Sequence, residues 1–379
     1  MKIVCITAYT FPSKRAEPYH QKSLAEAFTA HARNDFLFVI NGTIPPEFSN
    51  IPTLSVKAPK RARAIFYFFW FPRFVYAHKL SQSDTVVSSN DPYLLIAFIV
   101  WKRILRYKYR ICADWHLLFD DWKDRFITRH CNYIITTTQR LKDVTVSRCG
   151  INPGKVLVAY GGIDESLLDV HRQDDVRKLR AQLQLPADAF LIGYAGTFRC
   201  MGLEKGLDTM LSALVHMPKQ VHMVFVGGTK EEIKDYEQLA RQLEVNERCL
   251  FFARQPFTKI MEYEQAMDIL VIPYPDQHHF RDYGFPIKVW EYMATGRPIV
   301  YSDLDIIAEV LREKGTAFIP DDPISLARAL TSIYDDPEQA MSISRKNIEN
   351  VKQYTWSLKA GKILDFWGYA TEKHTSTNI

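Results

Sequence analysis

The sequence predicts an α/β protein built from two successive doubly wound parallel sheets. Three observations carry that prediction. Apolar, β-rich runs alternate with stretches of helical period along the chain, the pattern of a parallel sheet covered by helices on both faces. The alternation breaks once, after Gly161-Gly162-Ile163-Asp164, and then begins afresh. The length of 379 residues also suits two or three domains at about 150 residues each.

The first series places strands at 2–8, 36–40, 85–89, 110–113, 133–137 and 156–159, with helical periodicity at 21–31 and 93–106. A charged stretch follows at 170–187, with His171, Arg172, Asp174, Asp175, Arg177, Lys178 and Arg180, and reads as a connecting helix at the domain boundary. The second series has strands at 190–194, 222–226, 250–253, 269–273, 298–301 and 317–319. Its helices fall at 207–217, 230–243, 287–295, 306–314 and 323–334. An apolar helix at 356–367 ends the pattern, and the polar tail 371–379 is expected to fray. The expected domains are therefore 1–170 and 171–355, with 356–379 as a helix and tail. Two doubly wound domains in a row predict a cleft between them, with ligands outside the carboxyl ends of the strands.

Composition narrows the class. Hydrophobic residues make up 47% and charged residues 24%, near the globular average, so global disorder is not expected. A net charge of +5 permits anionic partners without pointing to nucleic acid. The six cysteines are scattered without a C-x-x-C pair, which suggests neither a zinc site nor a disulfide framework and fits a reducing cytoplasm. The first residues run directly into a strand and lack a signal-peptide layout. The most apolar run, 93–101, is well short of the ~20 residues a spanning helix needs. A cytoplasmic protein is the expectation.

The residues just after each second-domain strand carry the chemistry. The strand at 190–194 runs into Ala195-Gly196-Thr197-Phe198-Arg199, and Glu204-Lys205-Gly206-Leu207-Asp208 opens the next helix. Gly196, with no side chain, lets backbone approach a ligand closely. A lysine at a helix N-terminus, Lys205, opposes the dipole by about 0.3–1 kcal/mol unless an anion is bound there. The anomaly recurs in Tyr283-Gly284-Phe285-Pro286-Ile287-Lys288-Val289-Trp290-Glu291, where Pro286 suits the first helical position and Lys288 the first turn. Gly296 supplies the C-terminal stop, with Pro298 beyond it. Two such lysines after strands of one sheet point to a diphosphate held between them. Glu291 lies three residues past Lys288; its carboxylate can take both hydroxyls of a ribose, or simply pair with Lys288.

At this point the stretch F-P-I-K-V-W-E-Y-M-A-T-G-R-P-I-V, residues 285–300, closely resembles the donor-site signature of family 4 glycosyltransferases of the GT-B fold. Other segments agree. Tyr160-Gly161-Gly162-Ile163-Asp164 is similar to the family's turn before the linker. Gly193–Phe198 with Lys205-Gly206 resembles its first phosphate-binding segment. Residues 266–273, A-M-D-I-L-V-I-P, resemble its A-D-x-x-v-x-P strand, and Phe11-Pro12-Ser13 with Ala16 and 25–28 resembles the first loop and helix of one subgroup. The resemblance implies two Rossmann-like domains facing across a cleft, the first binding the acceptor and the second the nucleotide sugar, with the C-terminal helix returning to the first domain. It implies retaining, metal-independent transfer from a UDP- or GDP-linked sugar to a saccharide or lipid-linked acceptor, with the nucleotide sugar as co-substrate and no cofactor.

Residue by residue, the resemblance implies that Lys205 neutralises the diphosphate, that Glu291 binds the ribose, and that His116, in Cys112-Ala113-Asp114-Trp115-His116, approaches the donor sugar. These three form the expected catalytic set. Without the resemblance, His116 reads as a buried, hydrogen-bonded core imidazole. Arg254 and Gln255 would lie near the base. The expected donor-binding set is Gly196, Thr197, Arg199, Lys205, Arg254, Tyr283, Gly284, Phe285, Pro286, Ile287, Lys288 and Glu291. Two departures matter. Tyr283 stands where many relatives have a second, sugar-binding glutamate, and Thr197-Phe198 stand where an arginine is usual, with Arg199 as its substitute. They leave open a catalytically weak nucleotide-sugar-binding partner subunit. An epimerase on the same fold fits less well, and a dinucleotide dehydrogenase is disfavoured because neither half opens with G-x-G-x-x-G.

Residues 57–79 and 101–110 are basic and aromatic. Two readings stand side by side: a helix lying on an anionic membrane at the inner face of the cytoplasmic membrane, or an amphipathic helix burying its aromatics on the sheet with arginines extended to water.

Overall fold

The central strands form where the apolar pattern demands them, and the sheets order themselves by what those strands bury. The structure is a computed structural model and describes residues 1–12, 16–82, 84–168 and 176–369. It divides into two compact units, Met1–Asp164 with Tyr354–Ile379, and Glu165–Gln353.

The first unit holds β1 (Lys2–Phe11), α1 (Ala16–Ala32), β2 (Phe36–Gly42), β3 (Thr53–Val56), α2 (Arg63–Ala77), β4 (Thr85–Ser89), α3 (Pro92–Ile104), β5 (Arg110–Trp115), α4 (Trp122–His130), β6 (Tyr133–Thr136), α5 (Gln139–Cys149) and β7 (Val156–Val158). The strands form one parallel sheet in the order β3-β2-β1-β4-β5-β6-β7. Their near-continuous Val, Ile and Phe content reflects burial on both faces, as at Val86, Val87 and Ile111. Winding starts at β1 and reverses after β3, so the switch point lies between β1 and β4.

The second unit holds α6 (Val176–Gln182), β8 (Phe190–Ala195), β9 (Arg199–Cys200), β10 (Leu203–Glu204), α7 (Leu207–Leu214), β11 (Val221–Gly228), α8 (Lys230–Gln242), β12 (Cys249–Ala253), α9 (Phe257–Ala266), β13 (Ile269–Ile272), α10 (His278–Asp282), α11 (Lys288–Thr295), β14 (Ile299–Ser302), α12 (Asp305–Leu311), β15 (Thr316–Phe318), α13 (Pro323–Asp335) and α14 (Pro337–Val351). Its main sheet is parallel in the order β12-β11-β8-β13-β14-β15, and β9 and β10 form a small antiparallel hairpin. Here the switch point lies between β8 and β13.

The last helix, α15 (Trp356–Trp367), belongs to the first unit, as the resemblance implies. Thr355 caps it by accepting from Leu358 N–H, and Gly368 ends it at φ 75°. Its apolar face, with Ala360, Ile363, Leu364 and Trp367, completes the core around Phe28, Phe36 and Phe38, and Trp367 stacks on Phe28 at 5.5 Å.

Several expectations shift. The expected boundary at 170/171 and the tail 371–379 lie outside the described residues. The helical part of the charged stretch, Val176–Gln182, is a piece of the second unit rather than a bare connector. Arg180 is buried there and donates to Ala266 O at 2.9 Å and pairs with Asp268 at 2.8 Å. The basic aromatic segment divides its rings: α2 buries Tyr67, Phe71, Phe74 and Val75, while Ile65, Phe69 and Tyr76 stay exposed. Among the described residues, no helix is long and apolar enough to cross a membrane.

Candidate functional site

The carboxyl end of β8, beside the switch point of the second sheet, gathers most of the expected donor residues. Gly196 follows β8 at φ +154°, a conformation open to glycine, and its N–H donates to Val226 O at 2.7 Å. A β-carbon placed there would lie 2.1 Å from Lys288 Cε, so the Lys288 side chain lies directly against this backbone. Thr197 comes next, and its hydroxyl accepts from Lys205 Nζ at 2.9 Å. The two lysines thus converge on consecutive residues of one loop.

Lys205 lies at the N-terminus of α7, as expected, but outside its first turn. Gly206, at φ 81°, is the N-cap of α7, and Lys205 precedes it. Gly206 is required by close approach as well: a β-carbon would fall 1.8 Å from Pro273 O. The Lys205 ammonium lies 5.7 Å from the Tyr274 ring centroid, with the side chain 8% exposed. Lys288 is the first residue of α11, behind an Ile287 cap that offers no side-chain acceptor. Pro286 therefore precedes the cap instead of opening the helix.

Lys288 lies between two carboxylates. Its Nζ is 3.4 Å from Glu291 Oε2 and 3.8 Å from Glu264 Oε1, and 5.9 Å from the Tyr292 ring centroid. Glu264, on α9, is wholly buried, and neither carboxylate oxygen accepts a hydrogen bond. Burial pushes its pKa well up, the charge of Glu291 adds to that, and Lys288 opposes it. The Tyr292 hydroxyl accepts from Ala195 N–H at 3.1 Å, tying α11 to the end of β8.

The loop before α11 closes around these groups. Gly284 N–H donates to His279 O at 2.7 Å, Phe285 packs on Trp290 at 5.3 Å, and the buried Tyr283 ring meets His278 edge-on at 5.0 Å. Burial lowers the His279 pKa, helped by the charges of His278 and Lys205.

Other expected residues stand apart. Arg199 lies on the β9–β10 hairpin, where its Nε donates to Glu204 at 2.6 Å and its Nη2 meets Asp235 at 3.5 Å, so its charge is already engaged. Arg254 is exposed past β12, and Gln255 turns back to Ala253 O at 3.2 Å. Sequence reading did not single out Glu264, Tyr274 or His279. The I-P-Y run 272–274 and the paired His278-His279, both following one strand, are the available signals for the last two.

His116 belongs to the first unit, just past β5. Its Nε2 lies 3.4 Å from Asp114 Oδ2, which also accepts from Gln21 Nε2 at 3.3 Å. Burial works against ionisation of Asp114, but His116, the buried Lys359 and Gln21 outweigh it and hold the carboxyl at about 2. His116 is not an enclosed core imidazole: with Tyr9, Arg63, Asn90, Asp91 and Trp115 it lines a cavity of about 260 Å³. Among the described residues, no group of His, Cys, Asp or Glu is arranged to hold a metal ion.

The chain is similar to known proteins in sequence and in fold. Residues 175–350 match the family described as glycosyl transferases group 1. The D-inositol 3-phosphate glycosyltransferase of Xylanimonas cellulosilytica is 25% identical over 248 residues, 63% of this chain and 57% of that protein. The chain thus spans a little over half the length of the curated relatives it matches. Among solved structures, Anabaena Alr3699/HepE in complex with UDP superposes with a TM-score of 0.77 at 18% identity, covering 98% of this chain and 100% of that one. The same protein was solved with UDP-glucose. A glycosyltransferase from Rickettsia africae gives a TM-score of 0.78 at 11% identity, covering 97% and 98%. The fold is that of the GT-B glycosyltransferases, with two Rossmann-like domains.

Proposed function

We propose that this chain is a retaining glycosyltransferase of family 4 that takes its sugar from a nucleoside-diphosphate donor. The observation that carries this reading is the convergence of Lys205 and Lys288 on Gly196 and Thr197 at the carboxyl end of β8. Two ammonium groups beside the switch point suit a pyrophosphate. The similarity to a protein solved with UDP and UDP-glucose supports the same donor class.

In this reading the bond between the sugar's anomeric carbon and the diphosphate oxygen breaks as the acceptor oxygen attacks from the same face. The acceptor proton passes to the leaving phosphate. Lys205 and Lys288 stabilise the charge that develops on the diphosphate, without a metal. Glu291 takes the ribose hydroxyls. The first unit supplies His116, oriented by the ionised Asp114, and the cavity beside it takes a saccharide acceptor. Tyr9 and Trp115 offer apolar faces there, and Arg63, Asn90 and Asp91 offer hydrogen-bonding groups. Polysaccharide or glycolipid assembly is the setting we infer.

A thermal-shift screen against UDP, GDP, ADP and their sugars tests the donor assignment, since a ligand of the native state raises Tm by mass action. Donor hydrolysis or transfer that disappears in Lys205→Ala supports the enzyme reading. Binding without turnover across a donor and acceptor panel supports the partner-subunit reading instead, which Tyr283 in place of a glutamate favours. No shift with any nucleotide removes both.

We further infer peripheral contact of α2 with an anionic bilayer. The support is Ile65, Phe69 and Tyr76 exposed on a helix preceded by Lys57, Lys60 and Arg61.

A further inference from the structure

We propose that Glu264 is a positioning residue of the donor site that carries an exchangeable proton: as the neutral acid it steadies Lys288 against Gly196, and arrival of a nucleoside diphosphate makes its remaining ionised fraction take up a proton from solvent. This deepens the donor reading above and rests on it.

The argument begins with an imbalance of charge. One ammonium, Lys288, faces two carboxylates, Glu291 at 3.4 Å and Glu264 at 3.8 Å. It cannot neutralise both, so one of them is held better with its proton. Glu264 is that one. It is the nearly inaccessible partner, at 0% exposure against 9% for Glu291, it is the more distant, and neither of its oxygens accepts a hydrogen bond. The space beside it, lined by Gly193, Tyr194, Tyr263 and Met267, is too small for a water molecule. A buried carboxylate with no hydrogen bond is costly, and protonation is the cheapest relief.

Among the described residues, the surroundings offer no second cation. From α11 the carboxyl faces Lys288, Glu291 and Tyr292. From β8 comes Tyr194, whose hydroxyl donates to Thr197 O at 2.9 Å. From α6 comes Arg180, which is committed to Ala266 O and Asp268. On α9 itself, Lys259 pairs with Glu262. A diphosphate that engages Lys288 draws away the one charge favouring ionised Glu264 and adds negative charge nearby. Binding and proton uptake are then linked: one proton moves from solvent to the Glu264 carboxylate on binding and returns on release.

Calorimetric titration with UDP, and with GDP in parallel, across the whole pH range in which the protein stays folded and in two buffers of different ionisation heat at each pH, gives both Kd and the proton count. The wild type is expected to take up a fraction of a proton that rises with pH, while its Kd weakens by up to about tenfold per pH unit. Glu264→Gln should match the wild-type affinity at the low end of the range, take up no proton and hold its Kd nearly constant. Zero uptake by the wild type, or wild-type and Glu264→Gln curves that run parallel across the range, overturns the proposal. The wild-type proton count decides the matter even if the variant fails to fold. Absence of binding heat from both nucleotides at every pH is a different failure: it removes the donor reading, and this inference with it.

Discussion

Lys288 fills the space that a side chain on Gly196 would need, with Lys288 Cε 2.1 Å from where a β-carbon at Gly196 would stand. The glycine and the lysine therefore form one device, in which bare backbone after β8 sets the position of an ammonium from α11. Gly196→Ala should displace Lys288 and strain a backbone held at φ +154°. The expected outcome is a stability loss of about 1–3 kcal/mol and a fall of roughly 100-fold in kcat/KM, the scale on which a misplacement of about 1 Å acts. Steady-state kinetics and urea denaturation check this. Unchanged kinetics would show that Lys288 has no part in binding the donor.

Lys205 and Arg199 provide a contrast within one loop. Lys205 is nearly buried, with Thr197 Oγ1 at 2.9 Å, whereas Arg199 is spent on Glu204 and Asp235. Lys205→Ala is expected to weaken UDP binding by about 2 kcal/mol or more, roughly thirtyfold in Kd. Arg199→Ala should leave it within about 0.5 kcal/mol and cost stability less than about 1 kcal/mol, as exposed ion pairs do. Calorimetry on both variants is the check, and the reverse ranking would assign the phosphate to the hairpin.

The cluster around His116 should govern acid stability. Burial lowers the His20 imidazole to about 3, and the charges of His116 and Lys359 push the same way against Asp114. An unfolded imidazole titrates near 6.5, so between pH 6.5 and 3 the unfolded chain binds a proton that the folded one refuses. Stability then drops as pH falls through that window. Asp114, at about 2 in the fold, continues the drop below about 4, because its folded carboxylate resists protonation. Tm against pH should decline in two stages, and His20→Gln should flatten the upper one. A wild-type Tm that stays level from pH 6.5 to 4.5 contradicts this.

Vesicle sedimentation tests the α2 surface. Phe69 is 55% exposed and Tyr76 84%, and the flanking charge is basic. Binding to anionic vesicles is expected at low salt, weaker at high salt, and lost in Phe69→Glu. No sedimentation of the wild type at either salt level removes the membrane contact.

Much of this arrangement was readable beforehand, for definite physical reasons. The central strands were legible because burial on both faces leaves uninterrupted apolar runs such as Ile269–Ile272. The edge strand Thr53–Val56 was not, since it is short and only its last residue is buried. The lysines were legible as charges in the wrong place, and the helix start at residue 207 was legible too, with a left-handed Gly206 taking the cap and Lys205 just before it. Arg199 looked available because its partner Glu204 lies directly across a hairpin of two-residue strands, too short for any periodicity to reveal. Glu264 gave no signal at all. In Tyr263-Glu264-Gln265-Ala266 an acid on a helix reads as a solvated side chain, and only the packing of α9 under α11 and β8 makes it a buried one.

The return of α15 to α1 means that the polypeptide passes between the units twice, at 164/165 and again at 353/354. Topologically, the second unit is a contiguous insert and the first is a broken ring. During synthesis the insert can close on itself as soon as residue 353 has left the ribosome. The earlier-made unit must wait, with Phe28 and its neighbours lacking their Trp367 lid, until α15 appears. What is translated first is therefore finished last.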